Sequence, residues 1–160
     1  MAPSLMSAGR ALEQLSGQVA MSHRYVIDID ASNYQLGGWS KAAGLGVSWQ
    51  KYSYRGGDAT HDTLVPGNVS YPNVSLSRAV GRDSAKVQAW LVSVTRDRRS
   101  LSGAIHLVDF LGSPVVTWRL NEFFPIGWRL TEFDSAGSRP AIETLELCHT
   151  GFLPAEGRAK

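Results

Sequence analysis

Hydrophobic and polar residues alternate along several stretches of the chain, which is the pattern of a β-strand with one buried face. Residues 24–30 read RYVIDID, so Asp28 and Asp30 fall on the face opposite the two isoleucines. In the stretch 73–78, NVSLSR, Ser75 and Ser77 alternate in the same way with apolar neighbours. Further extended stretches are predicted at residues 47–54, 104–110, 115–120, 123–130 and 141–149.

A different period appears between residues 83 and 97. Four apolar residues there recur at i, i+3, i+4 and i+7, which predicts an amphipathic helix capped by Asp83 or Ser84. These residues are Val87, Trp90, Leu91 and Val94. Trp90 is the largest side chain of this apolar stripe, so we expect it to anchor the helix in the core.

Together these elements predict a mainly β fold with one helix. The expected architecture is an antiparallel sheet of about seven strands, either a small barrel or a sandwich, because closure would remove exposed strand edges. A chain of 160 residues and 17.4 kDa suits a single domain. We place this domain at residues 23–153, after an amino-terminal arm, mobile or docking, at 1–22 and before a short tail at 154–160.

Composition excludes several classes of protein. The formal net charge of +2 is too small to indicate nucleic-acid binding by itself. The single cysteine rules out an internal disulfide and fits a reducing compartment. No apolar run reaches the roughly 20 residues of a membrane-spanning helix, and Arg10 and Glu13 interrupt any signal-peptide core. We therefore expect a cytoplasmic chain that does not insert into membranes.

Candidate chemistry is weak throughout the sequence. The four histidines lack metal-ligand spacing, and Gly44-Leu-Gly46 is only half of a dinucleotide fingerprint. Asp28 and Asp30 share a strand face and could do acid and base work, although a polar solvent face explains them more simply. The sequence predicts no catalytic residue, no metal and no cofactor, and therefore no enzyme.

A series of short motifs follows in order along the stretch 24–153. They are YVIDID at 25–30, GGWS and AGLG at 37–46, YRGGD at 54–58, LVPG at 64–67, SLSR at 75–78, and AIETLELCH at 141–149. They resemble the phage tail-tube protein family, and the last motif is similar to that family's terminal strand "I-E-x-L-E-L-x-H". The family also includes the inner tubes of contractile injection systems and is related to the haemolysin-coregulated protein of type VI secretion.

The resemblance implies a structural function. Family members form hexameric rings of a small β-barrel with one helix, and the rings stack into a tube that a sheath drives through an envelope. Implied partners are other copies of the chain, a sheath protein, baseplate and spike proteins, and a cargo effector or DNA in the lumen. The chain would then reside in a phage tail or injection particle, released with it in some systems.

The resemblance also implies contact residues. The segment 55–67, between the extended stretches at 47–54 and 73–78, is expected to be a long loop that reaches a neighbouring subunit or ring. The expected contact residues are Tyr54, Arg55, Gly56, Gly57, Asp58, Leu64, Pro66 and Gly67. The lumen-facing candidates are Asp28, Asp30, Ser75 and Ser77.

Alternatives remain open at this point. A tube-initiating or tube-terminating adaptor ring at the baseplate would carry the same motifs as a shaft subunit. A monomeric ligand-binding barrel and a secreted effector are more remote. The sequence does not distinguish a phage virion from an extracellular or membrane-anchored injection system.

Overall fold

The computed structural model describes residues 24–30 and 32–153, which form nine strands and one helix. The mainly β fold with one helix is confirmed. The proposed arm at 1–22 and tail at 154–160 lie outside the described residues. The elements are β1 Arg24–Ile29, β2 Gly38–Trp39, β3 Lys41–Ala43, β4 Ser48–Tyr54, β5 Thr63–Ser70, β6 Val74–Ala79, α1 Asp83–Asp97, β7 Leu101–Val108, β8 Pro114–Leu130 and β9 Ile142–Cys148.

Seven strands form one antiparallel sheet in the order β2-β1-β7-β8-β9-β6-β3. Its two end strands are consecutive in the chain and are separated only by Ser40, whose N–H donates to the carbonyl of Ser77 at 3.0 Å. Because β2 and β3 follow one another along a single segment, they cannot pair side by side. All six pairings in the sheet are antiparallel, as predicted, but its end strands do not pair with each other, so it is not a closed barrel.

The long strand β8 joins the two halves of this sheet. Its first half pairs with β7 and its second half pairs with β9. Two separate strands were predicted here, at 115–120 and 123–130, and that division is wrong. Glu122, with φ of 44°, marks the point where the partner changes without ending the strand.

The core lies between the apolar face of the sheet and α1. Strand alternation buries Ile27 and Ile29 of β1, Leu76 of β6 and Leu145 of β9 on this face. Val87 and Trp90 supply the buried residues of the helix, and Trp90 is 1% exposed. The helical stripe read from the sequence therefore does face the core.

Capping of the helix differs from the expectation. The N-cap residue is Arg82, which makes no side-chain capping hydrogen bond, and Asp83 is the first helical residue. Ser84 instead donates its hydroxyl to Glu143 Oε2 at 2.8 Å. The predicted cap is wrong because Arg82 is the N-cap, which places Asp83 and Ser84 inside the helix.

The strands β4 and β5 form a separate two-stranded hairpin, so the predicted loop at 55–67 is wrong for residues 63–67. Thr63–Ser70 pairs with β4, and only residues 55–62 remain between the strands. Proline and glycine suggested a loop, but an edge strand tolerates proline. Gly67 lies beneath the Tyr52 ring beside a bulge, where a Cβ would come within 2.3 Å of that ring.

Candidate assembly surfaces

The β4–β5 hairpin is almost wholly exposed to solvent. Every residue of β4 is exposed, and in β5 only Gly67 is half-buried. Its large exposed apolar side chains are Trp49, Tyr52, Tyr54, Leu64, Val65 and Val69. An isolated two-stranded hairpin is marginally stable in water, and clustered exposed apolar residues mark interaction sites. The hairpin is therefore the main candidate for a contact with another chain.

Strand register divides the hairpin into two faces. Residues opposite one another share a face, so the pairs Trp49↔Val69 and Ser53↔Leu64 lie on one side. We call this the apolar face; it comprises Trp49, Lys51, Ser53, Leu64, Pro66 and Val69. The other, the hydroxyl face, carries Gln50, Tyr52, Tyr54, Thr63 and Val65, and the Tyr52 hydroxyl donates to Gln50 Oε1 at 2.9 Å. Both faces expose apolar surface, so burying both requires contacts on two sides.

The hairpin also has two free backbone edges. Within the described residues, β4 pairs only with β5 and β5 only with β4. The outward N–H and C=O groups of each strand are thus available to a further strand, and such edges pair readily with other chains.

The tip of the hairpin, residues 55–62, is held by local contacts. Arg55 Nε donates to Asp62 Oδ1 at 2.9 Å, and Ala59 N–H donates to the carbonyl of Gly56 at 3.0 Å. Asp58 is exposed. Of the residues predicted to make contacts, Arg55, Gly56, Gly57 and Asp58 lie in this tip, whereas Tyr54, Leu64, Pro66 and Gly67 lie on the strands.

At the base of the hairpin, three rings pack together. Tyr71, which follows β5, has its ring centroid 5.5 Å from that of His149 and 5.3 Å from that of Phe152. His149 Nε2 lies 3.1 Å from the carbonyl oxygen of Pro72. The start of the β5–β6 connection is thereby fixed to the end of β9, while the tip extends into solvent.

The four lumen-facing candidates lie on the polar face of the main sheet. Asp28 and Asp30 belong to its β1 side and Ser75 and Ser77 to its β6 side, with three strands between them. Asp28 is exposed, and Asp30 is paired with Arg119. The face therefore presents both signs of charge, and a second ion pair joins Arg129 to Glu146.

A buried ion pair links the two strands that carry the SLSR and AIETLELCH motifs. Arg78 Nε lies 2.8 Å from Glu143 Oε2, and the side chains are 7% and 0% exposed. The two residues are directly opposite in the β6–β9 register, at positions of the apolar face. That coincidence of opposite charges at matching buried positions is the signal that sequence analysis could have used, and did not.

Further hydrogen bonds connect this pair to the rest of the molecule. Arg78 Nη1 donates to the carbonyl of Leu36 at 2.6 Å, and its guanidinium stacks 4.1 Å from the centroid of the Trp39 ring. Glu143 also accepts from Trp128 Nε1 at 2.9 Å. The pair thus ties β6 and β9 to β8, to α1 through Ser84, and to the segment preceding β2.

Features of a reaction centre are sparse in the described part of the chain. Among those residues no group of three His, Cys, Asp or Glu side chains could hold a metal ion. The pKa of Asp83 is lowered, chiefly by its hydrogen bond with Lys86 and also by the charges of Lys86 and Arg78. Since Lys86 lies three residues further along the same helix, the lowered pKa of Asp83 reflects a local ion pair at the start of α1. No helix in residues 24–30 and 32–153 is long and apolar enough to span a membrane.

Comparison with known proteins identifies one family. The family described as T4-like virus tail tube protein gp19 matches residues 21–153. No curated protein sequence matches the chain.

Among solved structures, a chain of the anti-feeding prophage (AFP) baseplate is 23% identical, with a TM-score of 0.63 over 82% of this chain and 91% of that chain. A chain of the extended sheath-tube complex of PVC, an extracellular contractile injection system, is 19% identical, with a TM-score of 0.64 over 84% and 93%. A crystal structure of Hcp protein is 10% identical, with a TM-score of 0.50 over 79% and 89%.

The structural similarities support the tail-tube fold, and the family match covers the whole described part of the chain. The motifs that suggested the family lie on β1 to β6 and on β9, where they form the sheet and the hairpin. The chain belongs to the T4-like virus tail tube protein gp19 family.

Proposed function

We propose that this chain is the structural inner-tube subunit of a contractile injection system or phage tail, and that it acts by forming hexameric rings that stack into a tube. The observation that supports this most is the β4–β5 hairpin, which exposes apolar side chains on both faces and has two free edges. In a tail-tube protein, contacts with neighbouring copies would bury these surfaces.

The polar face of the main sheet suits the wall of a wet channel. Asp28, Asp30, Ser75 and Ser77 would face the lumen, with Arg119 and Arg129 supplying the opposite charge. Exposed ion pairs are worth only about 0 to 1 kcal/mol and are screened over roughly 8 Å at physiological salt. Such a wall would hold a passing effector or DNA weakly, which favours transport over storage.

The proposed role requires no chemistry by this chain and no cofactor. Its partners would be other copies of itself, the surrounding sheath protein, and the baseplate and spike proteins at the tube end. After synthesis in the cytoplasm the subunit would be incorporated into the tail or particle. An adaptor ring at the baseplate is the second candidate, because the chain is similar to a chain of a baseplate structure as well as to one of a sheath-tube complex.

Replacing apolar residues of the hairpin tests this function. In the variant Trp49→Ser/Leu64→Ser, we expect the sedimenting assemblies of the wild-type protein to be lost while the domain stays folded, because both side chains lie outside the core. The matched control is Val92→Ser, an equally exposed apolar residue on α1, at 56% against 56% for Trp49. Normal assembly by the hairpin variant would contradict the proposal.

A further inference from the structure

A recess of about 380 Å³ lies where the chain passes from β2 to β3, the two end strands of the main sheet. Its walls come from the starts of β1 and α1, from β2 and from the end of β6. We call it the seam recess. It is lined by Trp39 and by four charged residues, Arg24, Arg78, Arg82 and Asp83. The open side of the sheet therefore has a pocket in which cations outnumber anions.

Arg78 brings to this recess a buried donor without an acceptor. Its Nε donates to Glu143 Oε2 and its Nη1 to the carbonyl of Leu36, whereas Nη2 has no hydrogen-bond partner among the described residues. An arginine often binds a carboxylate through two parallel hydrogen bonds. Here the second carboxylate oxygen, Oε1, accepts from Trp128 Nε1 instead. Because the Arg78 side chain is 7% exposed, Nη2 is a buried donor that needs an acceptor.

Trp39 adds a second donor of the same kind. Its Nε1 is buried and finds no acceptor in the part of the chain that the structure describes. The ring lies 4.1 Å from Arg78 Cζ, so the two unpaired donors belong to stacked neighbours. The guanidinium reaches the wall beside Asp83, since a Cβ on Gly37 would lie 3.0 Å from Arg78 Nη1 and 2.3 Å from Asp83 Oδ2. One acceptor group that reached both donors would relieve two unfavourable desolvation terms.

The start of α1 adds positive potential to the seam recess. Arg82, the N-cap residue, makes no side-chain capping hydrogen bond, so no side chain of the cap covers the N–H groups of the first turn. The helix has 15 residues, and its dipole favours an anion at this end. Arg82 is exposed and forms no ion pair among the described residues. Its charge is therefore available to a ligand.

The acidic groups near the recess already have cationic partners. Asp83 lies 2.8 Å from Lys86, and Glu143 lies 2.8 Å from Arg78. Neither carboxylate is thus free to neutralise a further cation of the recess. The arrangement favours an incoming anion over an incoming cation.

We propose that the seam recess binds a phosphate group, with Arg82 and the first N–H groups of α1 at its mouth and Arg78 Nη2 and Trp39 Nε1 at its floor. These donors come from three elements and from different directions, which suits the tetrahedral oxygens of phosphate better than a planar carboxylate. The recess is larger than one phosphate ion, so it admits free phosphate or a phosphomonoester. All of these ligand groups belong to one copy, so the inference does not rest on the inner-tube function.

Equilibrium dialysis of the full-length protein against radiolabelled inorganic phosphate tests the site. We expect saturable binding at one phosphate per subunit, which acetate at the same ionic strength does not displace. Displacement by adenosine monophosphate would support the inference and assign the site to phosphomonoesters, whereas binding of inorganic phosphate alone would support it and assign the site to the free ion. Absence of saturable binding, or equal displacement by acetate, would overturn the inference and leave the inner-tube function standing.

Substitutions distinguish this site from general attraction to a basic surface. Arg82→Ala should weaken phosphate binding at least about tenfold, because a charge-assisted hydrogen bond is lost. Asp83→Asn should strengthen binding, because it removes a charge of the same sign as the ligand. The control is Arg139→Ala, at an exposed arginine of the β8–β9 loop, which should leave binding unchanged. Circular dichroism checks the fold of each variant. Wild-type binding by Arg82→Ala, or an equal loss in Arg139→Ala, would show that the inference is wrong.

Discussion

At the scale of single residues, the Arg78–Glu143 pair contributes most to holding the fold in its particular arrangement. Its side chains are buried and reach four elements and the segment before β2, so removing one partner leaves a buried charge uncompensated. Sequence analysis found both residues inside family motifs but gave neither a role. Strand alternation places both residues on the apolar face, where a single charge would be unexpected, and the register between β6 and β9 shows that the two opposite charges meet there.

Loss of this pair should destabilise the domain. Glu143→Gln should lower the free energy of unfolding by about 3 to 5 kcal/mol, because it leaves the Arg78 charge unpaired in the core. Chemical denaturation followed by tryptophan fluorescence measures the change. Glu146→Gln, which breaks the exposed pair with Arg129, is the matched control and should cost at most about 1 kcal/mol. Equal losses in the two variants would contradict the role given to the buried pair.

Trp90 is the second residue with a large expected effect. Trp90→Ala should cost about 3 to 5 kcal/mol, the range for large aromatic truncations in cores, because the side chain is 1% exposed between α1 and the sheet. Val92→Ala on the exposed side of the same helix should change stability by less than about 0.5 kcal/mol. Thermal unfolding compares the two, and an unchanged midpoint for Trp90→Ala would refute the packing of the helix.

The carboxylates of Asp28, in β1, and Asp30, just after it, are expected to affect cargo in the lumen and not assembly of the tube. Asp28→Asn/Asp30→Asn should leave tubes intact, because both residues lie on the polar sheet face, and should change cargo occupancy or its dependence on salt. Co-purification of cargo at low and high salt measures this. Loss of assembly would place these carboxylates at a subunit contact, and a hydrolytic activity lost with them would overturn the structural function.

At the scale of elements, periodicity predicted the helix and most strands of the main sheet but missed the hairpin. The segment 64–67 combines a proline and a glycine between exposed apolar residues, and local rules treat such a segment as a loop. The structure pairs it with β4 because a free edge needs no amide from Pro66, and Gly67 makes room for the Tyr52 ring. The predicted cap of α1 failed because the helix begins directly after Arg82, a residue type that local rules do not favour at the N-cap.

Shortening the tip of the hairpin tests this element. Replacing residues 55–62 by an Asn-Gly turn should abolish ring stacking and leave the domain folded, since no residue of the tip belongs to the core. Circular dichroism monitors the fold, and light scattering monitors stacking. Replacing residues 133–140 of the exposed β8–β9 loop by the same Asn-Gly turn also removes six residues and is the control. If the shortened hairpin stacks like the wild type, the contact role of the tip is wrong.

At the scale of the whole molecule, the subunit has a core between its sheet and helix and an exposed hairpin. Among the residues that the structure describes, the two strands of this hairpin pair only with each other. The fold class followed from the alternation of residues, because a half-buried sheet imposes that pattern at every strand. The surface exposure of the hairpin could not be predicted, since its apolar residues look like core residues in the sequence. Burial of these residues is expected only in the assembly.

The most direct test of the inner-tube function is cryo-electron microscopy of the purified full-length chain. We expect tubes built from stacked sixfold rings, in which the β4–β5 hairpin of each subunit is covered by a neighbouring copy and the polar face with Asp28, Asp30, Ser75 and Ser77 borders the lumen. Isolated rings that never stack would indicate an adaptor ring. Monomers with the hairpin still exposed under all conditions would contradict the inner-tube function.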